Sequence, residues 1–364
     1  KLVSDTKQTN KNFYRTERLE AQTGNDSMKF NYNGISQFSS IRNTASSSTL
    51  DRLGFKSEGT NLNLRYQNNT IIADSLFGIK YNLSNFDLNK YGFNHVTSEK
   101  TMGLYQNNNA SQLAILTDGI YKNIDFTVNT LDNQTSLLNA LSGLNLNYFK
   151  RAPSQLFDKD AKSLNQRVAK NVSNSNIDFV TITYRVIAPP HSQLYVSIPN
   201  ISWSDDNNHS LSITVNGVTR NQVTDNTFDF FDLGYFETES MVTIKLSFPG
   251  NKAISFDNPS FYALDTQNYQ IAMDTINERD SKVTTSNNKV FVDYSSKTNA
   301  SLFFTIPYDK GWTATINHKK VKIQRAQKGF MKVDVPSGKG KVVLTFIPYG
   351  IKIGDRKSTR LNSS

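Results

Sequence analysis

One pattern occurs twice in this chain. The blocks LYVSIP (Leu194–Pro199), Trp203, ITVNGV (Ile213–Val218) and MVTIKLSFPG (Met241–Gly250) are followed, in the same order, by LFFTIP (Leu302–Pro307), Trp312, ATINHKKV (Ala314–Val321) and KVVLTFIPYG (Lys341–Gly350). Four matching blocks in one order mark a repeated folding unit. Each copy reads as an alternating strand, a hairpin turn at Asn or Gly, a second alternating strand, and a last strand closed by Gly. A single sheet would leave one apolar face wet, so several such strands cover each other as a sandwich. The expected architecture is therefore two tandem β-sandwich modules, jelly-roll or Ig-like, over residues 171–266 and 267–354. The second opens with a connecting helix in NYQIAMDTINERD (Asn268–Asp280), where Ile271, Met273 and Ile276 have helical spacing.

Residues 1–170 have a different texture. FYRTERLE, FNYNGISQFSS, FGIKYNL and SQLAILTDGI read as strands; SSSTLDRLGF and TSLLNALSGL begin with Ser/Thr caps and read as short helices, the first ending at Gly54. This predicts an α+β N-terminal domain, giving a chain that is mostly β overall. FKRAPSQLFDKDAKSLNQRVAKN (Phe149–Asn171) has no clear strand period and reads as the connection into the first sandwich. Residues 355–364 (DRKSTRLNSS) have no apolar periodicity and read as a disordered tail or cloning remnant.

The chain has 364 residues, enough for two or three cores. It has no cysteine, which removes disulfide staples and thiol chemistry. Mean hydropathy is −0.51, and no run approaches the roughly 18–20 apolar residues of a spanning helix. The start, KLVSDTKQTNKNFYRTE, has no hydrophobic signal core and no Met, as expected of a segment from a longer protein. The formal charge of +10 raises the question of nucleic acid. Its basic residues are spread out, however, and the densest group, HKKVKIQR (His318–Arg325), alternates Lys with Val and Ile as a strand with one wet face does. A face turned toward anionic headgroups or cell-wall polyanions accounts for the charge without nucleic acid.

NYNGISQFSS (Asn31–Ser40), LGF (Leu53–Phe55), IIADSLFGIKYNL (Ile71–Leu83), PYDKGWTATINHKKVKI (Pro307–Ile323) and GFMKVDVPSGKGKVVLTFIPYGIKIG (Gly329–Gly354) together resemble the extracytoplasmic part of the YfhO family. These are polytopic membrane proteins of Gram-positive bacteria, similar to GT-C glycosyltransferases and associated with glycosylation of lipoteichoic acid. The resemblance implies a many-helix membrane region before this segment, a last spanning helix after it, and a place on the extracellular face of the cell membrane. It also implies a lipid-phosphate-linked sugar donor for the full-length protein, with the catalytic carboxylate in a loop of the membrane region. No catalytic residue and no cofactor is then expected here. The implied partners are cell-wall glycan or teichoic acid and the protein's own transmembrane region.

The residues themselves nominate several sites. His95, His191, His209 and His318 lie too far apart in sequence for a zinc motif. Asp205 and Asp206 adjoin Trp203, and Asp225, Asp229 and Asp232 cluster in TDNTFDFFDLG, where a hard cation such as calcium would find oxygen ligands; the ordinary role of such acids is to solvate or cap turns. Trp203 and Trp312 stand at matching places in the repeat, either filling sandwich cores or stacking on sugars. Tyr308, Lys310 and His318 surround Trp312, and Lys310, Lys319 and Lys320 offer charge to a phosphate. In the N-terminal part, Tyr32, Asn33, Ser36, Arg42, Asp74, Lys80 and Tyr81 are polar groups on an apolar framework, suited either to a substrate groove or to satisfying local turns. The expected function is to position a cell-wall polymer or sugar beside a membrane-embedded glycosyltransferase. Two alternatives stand beside it: a non-catalytic structural or protein-interaction module, and a glycoside hydrolase with accessory sandwiches, which needs two facing carboxylates.

Overall fold

The computed structural model describes residues 1–10, 12–38, 44–58, 63–66, 69–159, 168–169, 179–203, 209–224, 230–249 and 254–348. Strands dominate, and the repeat forms two sandwiches. In the first, an antiparallel sheet runs in the order Ser154–Lys159, Phe179–Ala188, Ser240–Pro249, His209–Val215, Val218–Thr224. It packs on a second sheet ordered Phe230–Phe236, Ser192–Ser197, Ser260–Asp265, Phe149–Arg151, with Val186, Leu194, Leu211, Ile244 and Leu246 fully buried between them. In the second sandwich the order is Ser281–Ser286, Lys289–Ser296, Gly338–Phe346, Trp312–Ile316, Lys319–Val321. Its facing sheet runs Gln324–Ala326, Phe330–Val335, Ala300–Pro307, Ala114–Leu116.

The two five-stranded sheets match strand for strand, and the match extends to turn chemistry. Asn216 (φ 48°) and Gly217 (φ 89°) close one hairpin; Asn317 (φ 47°) and His318 (φ 70°) close the other. These left-handed conformations suit the twist of a two-residue hairpin, and Asn tolerates them better than most side chains. Each asparagine also ties its turn to the neighbouring strand. The Asn216 amide donates to the Thr243 carbonyl at 3.0 Å while its side-chain oxygen accepts from the Thr243 amide at 3.0 Å. Asn317 makes the same pair of bonds with Lys341, at 3.0 and 2.9 Å.

The tryptophans do not obey the repeat. Counting back along both strands from the turn asparagine, Trp312 corresponds to the buried Leu211, not to Trp203. Trp312 pairs with Phe346 in the five-stranded sheet, whereas Trp203 pairs with Ile254 in a small sheet built from 168–169, 254–255 and 202–203. The insertion after Trp203 places that residue before the hairpin strand begins, so matching by residue type alone misaligns it.

The N-terminal part has a four-stranded sheet in which Arg15–Arg18 runs parallel to Ile79–Ser84, followed by Met102–Asn107 and Phe93–Glu99. It is not walled off at residue 170. The Phe149–Arg151 and Ser154–Lys159 strands, in the stretch read as a connection, join the two sheets of the first sandwich, and Ala114–Leu116 completes a sheet of the second. The largest core accordingly draws Phe55, Ile71 and Phe77 together with Tyr195, Tyr269, Phe303 and Phe330. The expected connecting helix forms at Thr266–Asn277, where the Asp265 carboxylate accepts from the Gln267 and Asn268 amides at 3.0 Å. Among the described residues, no helix is long and apolar enough to cross a membrane.

Candidate functional site

The turn entering the strand Trp312–Ile316 builds a cleft. The Gly311 amide donates to Asp309 Oδ1 at 2.6 Å, and the Gly311 carbonyl accepts from the Ile347 amide at 3.1 Å. A Cβ at Gly311 would stand 2.6 Å from the Ile347 carbonyl oxygen and from the Phe346 ring, so only glycine permits this approach. Trp312 consequently lies on Phe346, ring centroids 5.0 Å apart, and stays half-buried. The cleft beside it, about 360 Å³, is lined by Tyr308, Lys310, Trp312 and Lys320, with Val321 and Ile323 as an apolar floor. The Arg325 guanidinium stands 4.3 Å from the Tyr308 ring centre.

Three residues nominated from sequence, Tyr308, Lys310 and Trp312, thus line one cleft. His318 does not: it is exposed on the hairpin turn, outside the lining. Lys320 lines the cleft and Lys319 does not. Arg325 entered the sequence reading only as the end of the basic group His318–Arg325 and was not nominated for a site. An aromatic ring with amines beside an apolar floor can hold a sugar face and an attached phosphate together.

The nominated N-terminal residues make internal contacts instead. Asp74, on the helix Ile71–Leu76, has no exposed surface and pairs with the equally buried Lys90. The Lys90 ammonium donates to the Tyr66 hydroxyl at 3.1 Å and to Asn82 Oδ1 at 3.2 Å, and lies 4.5 Å from the Phe93 ring centre. Burial pushes the Asp74 carboxyl up to about 6, with Lys90 pulling the other way. Tyr32 is buried, and burial raises its hydroxyl. The Asn33 side-chain Nδ2 donates to the Tyr14 carbonyl at 3.2 Å. Lys80 donates to Asn10 Oδ1 at 2.5 Å, and the Tyr81 hydroxyl accepts from Asn10 Nδ2 at 2.9 Å, fastening the N-terminal segment. Arg42 lies outside the described residues.

Sequence reasoning also missed Glu17. Its buried carboxylate accepts from the Ile35 amide, the Ser36 amide at 3.0 Å and the Ser36 hydroxyl at 3.1 Å, so the YNGIS loop is wrapped around it. Burial pushes it up to about 7. The available signal was an acid at an inward position of the FYRTERLE strand.

The acidic loop falls largely out of view. Asp205, Asp206, Asp225 and Asp229 lie outside the described residues, as does the Trp203 side chain. Asp232 is buried, accepting from Gln193 Nε2 at 2.9 and 3.0 Å and from the Gly234 amide at 2.7 Å, a structural acceptor and not a solvated loop ligand. Among the described residues no group of three or more His, Cys, Asp or Glu could hold a metal ion.

Compared with known proteins, residues 1–355 match the family model described as bacterial membrane protein YfhO. An uncharacterized protein YfhO of Bacillus subtilis is 26% identical over 120 residues, which span 31% of this chain and only 14% of that protein. Among solved structures, a Paenibacillus cycloisomaltooligosaccharide glucanotransferase complexed with cycloisomaltoheptaose is similar over 55% of this chain and 46% of its own, at 9% identity and a TM-score of 0.20. A conserved Pseudomonas aeruginosa protein of unknown function is similar over 54% of this chain and 90% of its own, at 10% identity and a TM-score of 0.15. Both TM-scores lie far below that of a shared overall fold.

Proposed function

This chain belongs to the YfhO family of bacterial membrane proteins, and from that premise we propose that it is the portion of a membrane-bound, glycosyltransferase-like protein that lies outside the lipid and holds a cell-wall polymer. The cleft at Tyr308, Lys310, Trp312 and Lys320 is the holding site. A half-buried Trp ring flanked by two exposed lysines is the observation that carries this reading. Anionic glycan, teichoic acid among them, offers both groups that such a site takes: an apolar C–H face for the ring and phosphate for the amines. Bond-forming chemistry belongs to the membrane region, fed by a lipid-phosphate-linked sugar, and this part of the protein places the acceptor.

Co-sedimentation with teichoic-acid-bearing cell walls tests the reading. Binding should fall at least about tenfold in Trp312→Ala, a loss of about 1.4 kcal/mol. Equal retention of both chains would remove the cleft from the function.

A second reading, a protein-interaction module, is favoured by one surface. Phe157, Ile187 and Met241 are exposed on the first sandwich, with Arg185 stacked 3.7 Å from the Phe157 ring centre. Binding of wall polymer that is unaffected at the cleft would shift weight to that surface.

A further inference from the structure

Lys90 is a primary amine buried beside a carboxamide and a carboxylate. Its side chain and that of Asp74 have no exposed surface; Asn82 is fully buried and Tyr66 is 2% exposed. Phe93 and Tyr66 enclose the ammonium, at 4.5 and 5.8 Å from their ring centres. Lys90 Nζ lies 3.2 Å from Asn82 Oδ1 and in contact with the Asp74 carboxylate, while the Tyr66 hydroxyl accepts from Asn82 Nδ2 at 3.2 Å. Two ordinary neighbours would make a buried ion pair; the carboxamide at the amine adds an electrophile, and the hydroxyl at its nitrogen sits where a leaving group departs.

We propose that Lys90 and Asn82 join as an intramolecular amide, with Asp74 carrying the protons. The Asp74 carboxylate takes a proton from the Lys90 ammonium, and the freed lone pair adds to Asn82 Cγ. The Cγ–Nδ2 bond then breaks. Two of the three protons first held on Nζ pass to the departing nitrogen, which leaves as ammonium; one stays on the new amide, and Asp74 ends as it began. Charge and atoms balance without oxidant, reductant or external reagent. Exclusion of water protects both the amine from solvation and the product from hydrolysis. The raised affinity of Asp74 for a proton suits it to this relay.

Closing this link would fix the turn between Asn82 and Lys90. That turn meets the first sandwich: the Asn89 carbonyl accepts from the Tyr235 amide at 3.1 Å, and the Asp87 carbonyl accepts from Arg220 at 2.8 Å. The product is thus a covalent brace at the junction of the N-terminal sheet with the repeat.

Mass spectrometry of the purified chain decides the matter. The chain should weigh about 17 mass units, one ammonia, less than its sequence requires. Trypsin should fail to cut after Lys90, yielding the peptide Tyr81–Lys100 short by that mass and without backbone fragments between Asn82 and Lys90. Asp74→Ala and Asn82→Ala should each restore the full mass; the wild-type peptide alone is decisive if either variant fails to fold. Full mass with normal cleavage after Lys90 overturns the proposal. So does the same loss with Lys90 still cleavable, the mark of a succinimide at Asn33–Gly34 or Asn216–Gly217, and so does a loss of about 18 units with Lys90 joined to Asp74, which makes Asp74 the electrophile.

Discussion

Lys90 and Asp74 meet where neither side chain has any exposed surface. In the chain before any Lys90–Asn82 link forms, removing one partner of such a pair leaves the other group buried without compensation, which costs about 3–5 kcal/mol. Lys90→Met keeps the aliphatic stem and removes the donor to Tyr66, Asn82 and Asp74. Denaturant unfolding should show a loss of that size, and the double variant Lys90→Met, Asp74→Asn should be more stable than Lys90→Met alone. A single variant as stable as wild type would mean that water reaches the pair.

Stability should fall as pH rises from about 4.5 to about 7. Burial holds Glu17 up to about 7 and Asp74 up to about 6, and raises Asp232 as well. In this window the folded chain keeps protons that the unfolded chain has released, so alkali favours unfolding. The contribution of Glu17 is fully present below its unfolded value and is lost as pH passes its folded one. Its share is on the order of 3 kcal/mol. Unfolding curves at several pH values check the sign, and Glu17→Gln should flatten the profile; a profile that rises across the window would contradict the assignment.

If the two hairpins are copies of one device, breaking each should cost a similar amount. Asn216→Ala and Asn317→Ala each remove a side-chain acceptor for a strand amide and force alanine into the left-handed region. About 1–3 kcal/mol is expected from each. Thermal or denaturant melts that showed a large loss at one site and none at the other would mean the turns carry unequal loads despite their shared geometry.

The repeat could be read in the sequence because its signals are local: alternation, a turn asparagine and a closing glycine follow one another within a hairpin. The tryptophan pairing failed because strand register, not residue type, fixes equivalence, and Leu211 holds the place of Trp312. The boundary at residue 170 was illegible for another reason. Ala114–Leu116 and Phe149–Arg151 are three-residue strands whose partners lie far along the chain, and nothing local announces such pairings. The cleft was legible in part, since Tyr308, Lys310 and Trp312 are close in sequence. Nothing in DLNKYGF singles out Lys90; only the packing of Tyr66 and Phe93 around it reveals its burial.

The most direct test of the holding site is the fluorescence of Trp312 in a Trp203→Phe chain, titrated with purified teichoic acid. Saturable quenching that weakens when Lys310 and Lys320 are both changed to Ala, and that declines with added salt, is the predicted result. An emission spectrum unmoved at millimolar polymer would contradict it.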